Sequence, residues 1–75
     1  MQKHSASEKS ELIRTLNDTK RRLSEAYTEF NETLEPELIE ASVFEINSLR
    51  ARCAYLYRRA RELGINGETL PGKLQ

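Results

Sequence analysis

The sequence is short of the residues that stabilise very small proteins or build chemical centres. It has no tryptophan, one cysteine, one histidine, three glycines and two prolines in 75 residues. A single cysteine cannot form an internal disulfide, and one cysteine with one histidine cannot hold a structural zinc ion. A chain of this length also buries too little apolar surface for a comfortably stable core. We therefore expect one domain that gains stability by self-association, with no metal and no other cofactor.

Long hydrophobic runs are also missing. No apolar stretch approaches the ~20 residues of a membrane-spanning helix. The N-terminal stretch MQKHSASEKSE lacks the basic and then hydrophobic order of a secretory signal peptide. These features predict a cytoplasmic protein without a membrane segment, in a compartment where an unpaired thiol stays reduced.

Charge is balanced in number but separated along the chain. Twelve basic and twelve acidic residues give a formal net charge of zero. The segment from Glu25 to Glu45 contains seven acidic residues and no basic one, so its flanks hold all twelve basic residues and five acidic ones. The middle of the chain is therefore acidic, and the two flanks together are equally basic.

Apolar residues recur every three or four positions over two long segments, which predicts two amphipathic helices. The first segment follows a capping box formed by Ser5 and Glu8. The repeat in this segment is interrupted once, by Lys20, and consists of Ile13, Leu16, Lys20, Leu23, Tyr27, Phe30 and Leu34. The second segment repeats without a gap: Ile39, Ser42, Ile46, Leu49, Cys53, Leu56, Ala60 and Leu63.

Proline and glycine mark the ends of the second helix. Pro36 suits the first turn of a helix, where its missing N–H would have no partner, and Gly64 is a typical residue just past a helix end. The expected organisation is a disordered lead of residues 1–7, a domain of residues 8–65 with helices at about 8–34 and 36–64, and a flexible tail of residues 66–75.

A linker this short makes the two helices fold back on each other. The predicted fold is therefore all-α, an antiparallel, coiled-coil-like two-helix hairpin. Apolar residues also occur off the shared seam, and four of them are assigned to a self-association surface: Val43, Phe44, Tyr55 and Tyr57. Exposed apolar patches commonly mark association surfaces, so we expect a homodimer in the form of a four-helix bundle. In an antiparallel dimer, the acidic tip of one hairpin would meet the basic open end of the other.

The single cysteine is the sharpest candidate for chemistry. The expected register places Cys53 opposite Lys20, and a neighbouring cation lowers the pKa of a thiol. Alternatively, Cys53 fills a narrow layer as a small hydrophobic residue while Lys20 extends to solvent. Nucleophilic catalysis also needs a base and an oxyanion site, and neither helix offers a histidine or a glycine-rich turn. We favour packing, and predict no catalytic residue.

An arginine cluster at the open end gives an alternative function. Five residues are the candidate nucleic-acid contacts: Arg21, Arg22, Arg52, Arg58 and Arg59. Neighbouring tyrosines could stack on bases. Zero net charge and a pI near 6.6 argue against this function, because nucleic-acid-binding domains are usually strongly basic. We favour a non-enzymatic protein–protein interaction or structural module with an unidentified protein partner, and keep nucleic-acid binding as the alternative.

Four short motifs in residues 35–65 carry a family resemblance. They are the acidic-Pro-x-Leu-Ile start, the aromatic-Glu-Ile turn, the Arg-x-x-Tyr-Leu segment and the Ala-basic-x-x-Gly-Ile end of EPELIEASVFEINSLRARCAYLYRRARELGI. Through these motifs, residues 12–65 resemble the YaaL-like family of Firmicutes proteins, which is classified as domain of unknown function 2508. The resemblance implies small cytoplasmic proteins of unassigned function and supplies no catalytic or binding residue. The family pattern favours an aromatic residue where Cys53 stands, which supports the packing interpretation.

Overall fold

The computed structural model describes residues 6–65 and consists of two helices packed against each other. Helix α1 spans Ala6–Glu32 and helix α2 spans Pro36–Glu62. The predicted all-α hairpin is confirmed. The helices differ by two residues from the expected bounds at three of their four ends. Most of the expected lead and all of the expected tail lie outside the described residues.

The linker of three residues leaves the helical path at Thr33. The Thr33 N–H still bonds to the Glu29 carbonyl oxygen at 3.0 Å, and the Thr33 hydroxyl accepts the Glu35 N–H at 3.3 Å. Glu35 is extended, with φ −81° and ψ 125°, as expected for the residue before a proline. Leu34 was expected to continue the apolar seam of the first helix. It is instead 89% exposed, because the chain has already left the helix at that point.

The C-terminal end of α2 is closed by a Schellman motif. Gly64 adopts a φ of 83°, which glycine reaches without steric cost. The Gly64 N–H bonds to the Arg61 carbonyl oxygen at 3.0 Å, and the Ile65 N–H bonds to the Ala60 carbonyl oxygen at 2.9 Å, which is the bonding pattern of this motif. Ile65 is buried in a small cluster with Ala60, against which Leu12 of α1 packs. An apolar contact between the two helices therefore stabilises the open end of the hairpin.

The buried face of α2 follows the predicted seam, which we call the inner stripe. Seven of its eight residues are buried and Ile39, the first, is partly buried. The seven buried residues are Ser42, Ile46, Leu49, Cys53, Leu56, Ala60 and Leu63. The uninterrupted spacing of three and four residues therefore identified this face correctly.

The buried face of α1 differs from the expected seam by one residue at two places. Its buried residues are Leu16, Thr19, Leu23 and Ala26. Lys20 is only partly buried and Tyr27 is 39% exposed, so the expected seam is wrong at these two positions. The hydroxyl of Thr19 donates to the Thr15 carbonyl oxygen at 2.8 Å, which satisfies this buried polar group.

Antiparallel pairing explains the shift. Along α1 from Leu16, the buried residues are separated by steps of three, four and three. Read backwards along α2 from Leu56, the inner stripe has the same order of steps. The expected seam through Lys20 has the opposite order, so its alternate layers would be offset by one residue from their partners. The matched order gives the following layers: Leu16 with Leu56, Thr19 with Cys53, Leu23 with Leu49, and Ala26 with Ile46.

Candidate functional site

Cys53 lies in the centre of the hairpin core. Its side chain has no exposed surface and belongs to one apolar cluster with Leu16, Leu49 and Leu56. Burial raises the pKa of the Cys53 thiol, and the nearby Lys20 ammonium offsets only part of that rise. The thiol therefore stays protonated at neutral pH. The nucleophilic form of cysteine is the thiolate, so Cys53 is not in its reactive form. This geometry supports the packing interpretation of the cysteine.

Three of the five candidate nucleic-acid contacts are paired with carboxylates of their own helix. Arg21 contacts Asp18 and also bonds to Glu25 at 3.0 Å. Arg59 and Arg58 both pair with Glu62, at 2.8 Å and 3.5 Å. These contacts lower the pKa of Glu62, with the Arg59 hydrogen bond as the largest cause. Much of the positive charge at the open end is therefore compensated within the hairpin.

The other two candidate contacts, Arg22 and Arg52, are exposed and form no ion pair with a residue in the 6–65 range. A neighbouring arginine, Arg50, donates to the Tyr27 hydroxyl at 3.3 Å and so links the two helices. The uncompensated positive charge of the candidate set is thus limited to one arginine on each helix.

The acidic segment surrounds the tip of the hairpin. Its seven glutamates are all exposed, so each remains hydrated. In the part of the chain that the structure describes, no three His, Cys, Asp or Glu side chains converge in a way that could hold a metal ion. Neither described helix combines the length and the apolarity needed to cross a bilayer.

The four residues of the expected self-association surface divide between two faces of α2. Val43 and Tyr57 are fourteen residues apart, close to four helical turns, and lie beside the inner stripe. Tyr57 is partly buried and packs against the core cluster. Phe44 and Tyr55 are eleven residues apart, close to three turns, and therefore share another face. Neighbouring residues in a helix are rotated by about 100°, so the four side chains do not form one patch.

Phe44 and Tyr55 belong to a second row of residues that repeats every three or four positions, which we call the outer stripe. It consists of Ala41, Phe44, Ser48, Ala51 and Tyr55, all of them exposed. Phe44 is 66% and Tyr55 is 51% exposed, and the guanidinium of Arg58 lies 5.3 Å from the centre of the Tyr55 ring. At about 100° per residue, this row lies roughly 140° around α2 from the inner stripe.

The two aromatic residues of the outer stripe were predicted from the sequence, but the row that contains them was not. The missing signal was the spacing, because Ser48 and Ala51 were not counted together with Phe44 and Tyr55 as one face. Alanine and serine at such positions let another helix approach closely, and aromatic residues supply most of the contact area. The outer stripe is therefore the candidate interaction surface of the described chain.

The comparisons with known proteins place the chain in a family but not in a functional class. Residues 1–67 match the family model described as "Protein of unknown function (DUF2508)". The comparisons with curated proteins and with solved structures gave no match. The family match covers most of the 75 residues and includes both helices. The chain therefore belongs to the DUF2508 family of proteins of unknown function.

Proposed function

We propose that the protein is a non-enzymatic protein–protein interaction module of the cytoplasm that associates with a second copy of itself. The observation that carries this proposal is the outer stripe, which exposes Phe44 and Tyr55 although the inner stripe already contacts α1. An exposed row of this kind is typical of a helix that packs on two sides.

The small size of the core supports self-association. A two-helix hairpin has one internal interface, and here the buried layers include Thr19, Ser42, Ala26 and Ala60. These side chains contribute less apolar area than leucine or phenylalanine would. Burial of exposed apolar surface stabilises by about 25 cal/mol per Å², so a second interface would add substantially to a marginal fold.

The separation of charge supports an antiparallel arrangement of two hairpins. The acidic residues surround the tip, whereas the arginines of α2 lie in its second half, towards the open end. Two parallel copies would place like charges side by side, and two antiparallel copies would place opposite charges together. The proposed product is an assembly of four helices.

The compensated arginines favour protein association over nucleic-acid binding. Affinity for nucleic acid comes largely from basic side chains that neutralise phosphates. In this hairpin, Arg21, Arg58 and Arg59 are already paired with carboxylates. Binding to phosphates would have to compete with these internal ion pairs.

Sedimentation equilibrium of the full chain tests the proposal. The expected result is a concentration-dependent equilibrium between monomer and dimer in the micromolar range, without added ligand. Mixed DNA and RNA oligonucleotides at low salt provide the second arm, with little binding expected. A chain that stays monomeric at high micromolar concentration, and binds the oligonucleotides with a steep dependence on salt, would replace this proposal with the nucleic-acid alternative.

A further inference from the structure

We propose that the second copy docks on the outer stripe, with the two α2 helices antiparallel about a two-fold axis that passes between Leu49 and Arg50. This inference rests on the proposed function and deepens it, because it specifies the face and the register of the dimer.

The spacing of the outer stripe is self-complementary. From Phe44 towards Tyr55, its residues are separated by steps of four, three and four. From Tyr55 back towards Phe44, the order is again four, three and four. Two antiparallel copies therefore stay in phase, as α1 and α2 do within one hairpin. Phe44 then lies opposite Tyr55 of the partner subunit, and Ser48 lies opposite Ala51 of the partner subunit.

The sizes of the side chains fit this register. The two small residues, Ser48 and Ala51, lie nearest the two-fold axis, and the two aromatic residues lie at either end. Packed helices cross at an angle and so approach most closely at the crossing point. Small residues at that point permit close approach, whereas the aromatic rings fill the wider space on either side and form two aromatic pairs.

Charges on one flank of the outer stripe fit the same register. On this flank, Glu45 lies close to Arg52 of the partner subunit. The two-fold axis repeats the pair, so two ion pairs border the interface. Glu45 and Arg52 are exposed and form no ion pair within the described hairpin. At the ends of the overlap, Glu37 lies opposite Glu62 of the partner subunit, but Arg58 and Arg59 already compensate the charge of Glu62.

A second register also matches the order of the steps, but it brings like charges together. In this register one α2 helix is shifted by seven residues along the other, so that Ala41 lies opposite Ala51 of the partner subunit. The axis would then pass close to Glu45, and the two copies of this glutamate would face each other. Like charges across an interface are unfavourable. That register would also shorten the overlap of the two helices, whereas the proposed axis lies at the centre of Pro36–Glu62.

The proposed interface determines the shape of the assembly. Because the outer stripe lies roughly 140° from the inner stripe, the four helices form a nearly flat row with the two α2 helices at its centre. The two α1 helices lie on the outside and do not touch each other. This arrangement is more specific than the four-helix bundle expected from the sequence.

Two single charge reversals test the register. Glu45→Arg would place arginine beside arginine across both copies of this contact, and Arg52→Glu would place glutamate beside glutamate. Each variant alone should dimerise about tenfold more weakly than the original chain, as expected when two exposed ion pairs become repulsive. An equimolar mixture of the two variants should recover the original affinity as a heterodimer, because both contacts then join opposite charges.

Glu29→Arg is the matched control, since it makes the same change at an exposed glutamate of α1 and should leave dimerisation unchanged. Circular dichroism should show helix content close to that of the original chain for all three variants. If Glu45→Arg and Arg52→Glu dimerise normally while Val43→Asp dissociates the chain, the outer stripe is wrong and self-association stands. If the original chain is a monomer, this inference and the proposed function both fail.

Discussion

The inner and outer stripes of α2 follow the same spacing but have different compositions and different surroundings. The inner stripe is dominated by aliphatic residues and meets α1, which supplies small residues at Thr19 and Ala26. The outer stripe combines two aromatic residues with three small ones and faces solvent in the isolated hairpin. The spacing of three and four residues therefore identifies a face that can pack against a helix. Residue size and flanking charge then determine which helix fits it.

The largest expected effect separates the two stripes by stability. Leu49→Ala removes a buried leucine from the inner stripe and should lower the free energy of unfolding by about 2–5 kcal/mol, most of the stability of so small a domain. Phe44→Ala on the outer stripe should change the unfolding of the dilute, monomeric chain far less. Urea titration followed by circular dichroism measures both. Equal losses for the two variants would mean that the stripes do not have distinct roles.

The next effect concerns association. Phe44→Asp would bury an unpaired carboxylate in the dimer and should raise its dissociation constant by about a hundredfold or more. Sedimentation equilibrium measures this change, with Val43→Asp as the control on the flank beside the inner stripe. Equal dissociation by both variants would show that the interface is wider than the outer stripe.

A smaller effect is expected where the inner stripe ends. Gly64→Ala would place a β-carbon on a residue with a φ of 83°. Apart from the two neighbouring residues in the chain, no atom of the described hairpin lies within 4 Å of that position, so the cost is that of the backbone conformation, about 1–2 kcal/mol. Thermal unfolding should show a midpoint lower by roughly 4–8 °C per kcal/mol, with dimer affinity unchanged. An unchanged midpoint would mean that the Schellman motif contributes little to stability.

The smallest expected effect is a dependence of the free energy of unfolding on pH, which arises from Cys53 of the inner stripe. Burial raises the pKa of Cys53 in the folded chain, whereas an unfolded cysteine titrates at about 8.5. Below that pH the protonated Cys53 thiol contributes fully to the free energy of unfolding. This contribution is lost as the pH rises towards the pKa of the thiol in the folded chain. Unfolding free energies measured between about pH 8 and 9.5 should therefore fall, before an unfolded tyrosine titrates near 10.

Cys53→Ala is the control for this pH dependence. The variant removes the titrating thiol and should show a flatter profile over the same interval, although its stability at neutral pH is lower because a small cavity replaces the sulfur. A profile as steep as that of the original chain would assign the alkaline loss to another group.

The second helix could be predicted from the sequence almost completely. Pro36 and Gly64 mark its ends through restrictions on the backbone, which act locally. The positions of the inner stripe repeat without interruption, so only one face of α2 is consistently suited to the core. Local rules and periodicity were therefore sufficient for this element.

The first helix was less predictable because two candidate seams share two residues. Leu16 and Leu23 belong to both, and the sequence offers Lys20 or Thr19 between them. The choice depends on the order of steps along the antiparallel partner, which is a tertiary constraint. The predicted surface mixed two faces for a similar reason, since Val43 and Phe44 are neighbours in sequence but point in directions about 100° apart.

The separation of charge between the tip and the open end also has an electrical consequence. The dipoles of two antiparallel helices largely cancel, so side-chain charges set the dipole moment of one hairpin along its 52 Å axis. A molecule with zero net charge can thus turn strongly in an applied electric field. Antiparallel association of two hairpins would cancel this moment, so the dielectric response of a solution should fall as its concentration rises.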